Sequence, residues 1–118
     1  MDQRQHSRVP LFTKAKVVSG ARPLEITVSN ISLGGLLFHS IKDFELGKEM
    51  VIQIKGTFRS KEFEEKVTGR IVAVHRSSAG NSYGFQFGVY LEESRHPSLV
   101  AFVNRSRKKG ITSFLRDS

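Results

Sequence analysis

Two short segments of the chain carry side chains suited to one kind of partner. Arg4-Gln5-His6-Ser7-Arg8 sets two guanidinium groups on an N-terminal arm. Each guanidinium is a planar fork of donors that fits phosphate oxygens or the acceptor edge of guanine, and it can also stack on a base. Asn30-Ile31-Ser32-Leu33-Gly34-Gly35 sets an amide, a hydroxyl and two glycines at a tight turn between apolar runs. An Asn amide and a Ser hydroxyl can hydrogen-bond a base edge or a phosphate, and glycine admits a close backbone approach. Arg4, Arg8, Asn30, Ser32, Gly34 and Gly35 are therefore the candidate binding residues, and their shared chemistry is that of a site for a small anionic nucleotide.

Other chemistries find little support. The chain has no cysteine, so disulfide frameworks and thiolate metal sites are excluded. Its four histidines, His6, His39, His75 and His96, lie far apart, and none stands at a metal-ligand spacing. Gly80-Asn81-Ser82-Tyr83-Gly84 spells the G-x-S-x-G pattern of a nucleophile elbow. That elbow needs a strand-to-helix turn in an α/β sheet, whereas this segment reads as a hairpin turn entering a strand. Without paired carboxylates, a Ser-His-Asp set or a phosphate-binding loop, the sequence reads as a non-enzyme that needs no cofactor and no metal. The net charge of +8 favours anionic partners: nucleotide, nucleic acid, acidic protein or lipid headgroup. No apolar run approaches a membrane span and the N-terminus lacks a signal-peptide core, so a cytoplasmic protein is expected.

The elements that must hold these residues are strands. At 118 residues, with nine Phe, the chain can build one core without staples. Alternation of apolar and polar residues predicts strands over 13–18 and 24–29, and the apolar run Leu36-Leu37-Phe38 a short strand buried on both faces or passing through a bulge. Further strands are expected over 50–55, 67–75 and 83–91, with 56–66 as a charged hairpin connection. Gly69, Gly84 and Gly88 mark a bulge or places where neighbouring backbone packs closely. About six strands at short spacing with no helix between them predict an all-β fold, an antiparallel barrel. Phe85 and Phe87 share one strand face and read as core. A single C-terminal helix follows, with Glu93-Ser94 as cap, Pro97 in the first turn, and Leu99, Phe102 and Val103 as its apolar stripe. Arg105, Arg107, Lys108 and Lys109 gather before Gly110, where cations complement the helix dipole. The expected organisation is a flexible arm over 1–10, the barrel with its helix over 11–110, and a short tail over 111–118 carrying Ile111, Phe114 and Leu115.

This arrangement resembles the PilZ domain family over nearly the whole chain. The family's RxxxR motif matches Arg4 to Arg8, and its [D/N]xSxxG motif matches Asn30 to Gly35. Both occur in order, followed by the Tyr83-Gly84-Phe85-Gln86-Phe87 strand and the C-terminal helix. The resemblance implies a six-stranded antiparallel PilZ-type barrel and binding of the second messenger cyclic di-GMP in a bacterial cell. It assigns Arg4 and Arg8 to the phosphates and guanine Hoogsteen edges, and Asn30 and Ser32 to a guanine and its neighbouring phosphate. Gly34 and Gly35 would let the turn approach the ligand. Gln3 stands where many members carry another Arg that favours a stacked ligand dimer, which leaves the stoichiometry open. Ligand is expected to order the arm on the barrel, and the signal then to pass through a protein partner. The alternatives are a small basic barrel that binds nucleic acid, or an interaction scaffold with a vestigial ligand site.

Overall fold

A computed structural model describes residues 8–106. Arg4, the rest of the arm before Arg8, the basic residues 107–109 and the tail apolar residues lie outside the described residues. Six antiparallel strands, β1 (Val9–Val17), β2 (Leu24–Ile31), β3 (Gly35–Ser40), β4 (Glu49–Phe58), β5 (Lys61–Ser77) and β6 (Gly80–Phe87), form the fold. They close into a barrel in the order β1-β2-β3-β6-β5-β4. Residues 97–106 are helical, with Pro97 as the first helical residue, as its missing N–H predicts.

The inward-facing set follows from strand alternation. Ile26, Val28, Leu36, Phe38, Ile52, Ile54, Ile71, Tyr83 and Phe85 are buried in one core. Each large apolar side chain so buried contributes about 1.5–3 kcal/mol. Phe38 stacks on Tyr83 at 5.0 Å between ring centroids. The Tyr83 hydroxyl accepts from Phe44 N–H at 3.0 Å and donates to the Lys42 carbonyl at 3.0 Å, which pins the 41–48 loop over one barrel end.

Several strands run past their expected limits. β1 begins at Val9 because Val9 and Pro10 pair with Ile31 and Asn30, so the barrel takes up the last two residues assigned to the arm. The 56–66 segment is mostly strand: only Arg59 and Ser60 turn the chain, both at positive φ (55° and 64°) as a two-residue hairpin of primed type requires. Charges such as Lys55 and Glu64, 3.4 Å apart across the pair, hide this strand from a hydrophobic pattern. β6 ends at Phe87 rather than near 91. A Cβ on Gly69 would fall on the Gln86 carbonyl, so its close approach is real, whereas Gly88 meets nothing nearer than 4.0 Å. The β5–β6 bulge lies at 71–73 instead.

The helix is capped from a distance. Glu65 of β5 is buried, and its carboxylate accepts from Ser98 N–H at 2.9 Å and Leu99 N–H at 3.0 Å. Glu93-Ser94 does not serve this role. His96, also buried, accepts from Glu92 N–H at Nδ1 (3.3 Å), so Nε2–H donates to the Lys66 carbonyl at 3.0 Å. Leu99 and Val103 enter the core, and Phe102 packs edge-on against Phe58 at 5.7 Å.

Candidate functional site

The register of β1 on β2 assembles the site. Val9 pairs with Ile31 and Pro10 with Asn30, so Arg8 comes in beside the turn that follows Ile31. In β2 a bulge between Val28 and Asn30 breaks the alternation against β3. Val28 and Ile31 both remain buried, three residues apart, while Ser29 and Asn30 between them are half-buried. The bulge thereby turns Asn30 out of the core sequence of side chains. Arg8, Asn30 and the 32–34 turn thus meet at one barrel end. Arg4 lies outside the described residues.

The turn is held from within. Ser32 N–H donates to the Gly35 carbonyl at 2.8 Å, and the buried Ser32 hydroxyl accepts from Gly34 N–H at 3.2 Å. Outside the turn, the Gly34 carbonyl accepts from Phe87 N–H and the Leu33 carbonyl from Leu91 N–H, each at 2.9 Å. These bonds make a preformed surface and commit the Ser32 hydroxyl to its own backbone. Gly35 answers to the barrel as well: a Cβ there would stand 2.5 Å from the Phe85 carbonyl across the β3–β6 pair.

The Asn30 Oδ1 is buried and has no hydrogen-bond partner among the described residues. A buried acceptor left unpaired costs about 1–3 kcal/mol, so this atom calls for a donor from beyond the described residues.

A row of residues that sequence reasoning missed extends from the turn. Gly35 pairs with Gln86, Gln86 with Arg70, and Arg70 with Glu49, running across β3, β6, β5 and β4. Gln86, Arg70 and Glu49 are exposed and line a cavity of about 580 Å³ with Met50, Phe87 and Gly88. In the sequence these three are ordinary strand-face polar residues. Only cross-strand register reveals that they stand side by side.

The fold is thus a closed antiparallel barrel with one flanking helix, carrying an Asn-and-Gly turn and an Arg at its mouth. The PilZ domain profile matches residues 2–105, and the chain belongs to the PilZ domain family, a family of cyclic di-GMP receptors. The inhibitor of motility MotI (DgrA) from Bacillus subtilis shares the fold at a TM-score of 0.75 and 11% identity, over 95% of this chain and 53% of that one. The PilZ domain of YcgR from Escherichia coli, solved with cyclic di-GMP, shares it at 0.67 and 11%, over 95% and 97%. The chain therefore spans about half the length of the MotI structure. No curated protein matches the chain. Among the described residues no helix is long and apolar enough to cross a membrane.

Proposed function

We propose that this protein is a non-catalytic receptor for cyclic di-GMP, which it binds at the barrel end formed by Arg8, Asn30 and the 32–34 turn. The observation that carries the reading is the Asn30 Oδ1, which has no partner among the described residues. Guanine offers N–H donors on its Watson–Crick edge, and a phosphate offers none, so a guanine base is the natural complement of that acceptor. Arg8, with Arg4 from the arm, supplies guanidinium forks for the phosphates and the O6 and N7 acceptors. Ser32 and Gly35 contribute by building the turn rather than by touching ligand. The Ser32 hydroxyl is already engaged, and the space beyond Gly35 belongs to the Phe85 carbonyl. Gly34 keeps the turn free of side chain where ligand approaches. The receptor acts in the cytoplasm and passes its signal to a protein partner that recognises the combined surface of arm, ligand and barrel.

Isothermal calorimetry with cyclic di-GMP, beside GTP and the linear dinucleotide, tests this. Saturable heat with the cyclic ligand and little with the others is expected. Absence of heat at about 100 µM, a concentration equivalent to roughly −5.5 kcal/mol, overturns the reading. A steep log–log loss of affinity with salt would instead mark a polyanion-tracking barrel.

A further inference from the structure

We propose that the cavity along the Glu49–Arg70–Gln86 row receives a guanine base of the bound cyclic di-GMP and selects guanine over adenine. The inference rests on the reading above and assigns residues outside both sequence motifs. Its placement comes from register: Gln86 pairs directly with Gly35 of the turn, and Arg70 and Glu49 follow on the next two strands. With about 4.8 Å between neighbouring strands, the row begins one strand from the turn and Arg70 lies about 10 Å away, within reach of one nucleotide.

The lining suits a flat base with a polar edge. Met50 and Phe87 supply an apolar floor, and Gly88 adds no side chain to obstruct it. At the rim, the Glu49 carboxylate, the Arg70 guanidinium and the Gln86 amide have neither hydrogen bonds nor ion pairs to the described residues, although Glu49 and Arg70 face each other across β4 and β5. A few convergent polar groups above an apolar floor are the usual makeup of a small-ligand site.

The order of charges decides which ligand group enters. A carboxylate beside the guanidinium opposes a phosphate, which a purely basic site would favour. Along its edge, guanine presents N2–H₂ and N1–H as donors and then O6 and N7 as acceptors. Glu49 followed by Arg70 presents acceptors and then donors, in matching order. Adenine places an N6–H₂ donor where guanine has O6, and so meets the Arg70 donors with a donor of its own. Gln86 can adapt its amide to the sugar or the phosphate at the end nearest the turn.

The test is calorimetry on the full chain with cyclic di-GMP, cyclic di-IMP, whose base lacks the N2 amine, and cyclic di-AMP. Wild type should prefer cyclic di-GMP over both. Glu49→Gln should weaken cyclic di-GMP by about tenfold, the scale of one good base-edge contact, and narrow its advantage over cyclic di-IMP. Arg70→Ala should lose a similar factor, and Arg70→Lys should fail to restore it because the fork is gone. All three positions are exposed, so unchanged melting temperatures are expected and serve as the folding control. Wild-type cyclic di-GMP affinity in Glu49→Gln and Arg70→Ala would overturn this base pocket while leaving the receptor reading intact. Absence of cyclic di-GMP binding by wild type would overturn both.

Discussion

The barrel holds two polar clusters that differ in how completely they satisfy themselves. At the helix, the buried Glu65 carboxylate takes two backbone N–H groups, and buried His96 uses both ring nitrogens. At the mouth, the Asn30 Oδ1 is also hidden and has no partner among the described residues. Burying polar atoms costs desolvation in both places. The helix cluster recovers that cost inside the chain. The mouth leaves part of it open, as a site does when the missing partner is a ligand. On the proposed reading, the closed polar groups serve structure and the open acceptor at the mouth serves the ligand.

Substitutions that act on either side of this contrast should separate stability from binding. The largest effect is expected from Gly35→Val, because its Cβ would stand 2.5 Å from the Phe85 carbonyl and backbone cannot yield as a side chain can. A loss of about 3 kcal/mol, the upper range for overpacking, should appear in chemical denaturation. A stable variant that merely bound ligand less well would return Gly35 to the ligand site. Glu65→Ala should follow, at about 2–3 kcal/mol, since two helix N–H groups lose a charged acceptor. Urea unfolding should show that loss while calorimetry on the folded fraction finds near-normal affinity.

Arg8→Ala belongs to the other side and should weaken cyclic di-GMP by about 1.5–3 kcal/mol, the worth of a charge-assisted hydrogen bond. Arg8→Lys should recover only part of it, having kept the charge and lost the fork. Full recovery in a titration would show that charge alone operates. The smallest effect, and the most discriminating, is expected from Asn30→Ala. Binding should fall by about 1 kcal/mol, while thermal stability holds or rises because an unpaired acceptor has been removed. A loss of stability together with binding would place Asn30 among the structural residues.

The sequence made the mouth more legible than the latch, for physical reasons. Arg8 and Asn30 to Gly35 stand out because a guanidinium and an amide-and-glycine turn recur there at motif spacing. The six strands were readable wherever one face was apolar, and were lost at 56–66, where Lys55 and Glu64 face each other across the hairpin. Glu65 was unreadable as a cap. It lies 33 residues before Ser98, in a run of charges whose ordinary place is water, and only barrel closure carries it to the helix. The internal bonds of Ser32 were not legible, because a turn serine that bonds its own backbone looks the same in sequence as one that bonds a phosphate. The Glu49–Arg70–Gln86 row was invisible for the same reason as Glu65: register is a property of pairing, not of spacing.

The most direct test of the central claim is an amide ¹H–¹⁵N titration of the full chain with cyclic di-GMP. The account predicts shifts concentrated at Asn30 to Gly35 and at Gln86 to Gly88, the strand end bonded to the turn, with Ser98 and Leu99 at the Glu65 cap nearly unmoved. Shifts centred on the cap, with the turn unchanged, would contradict it.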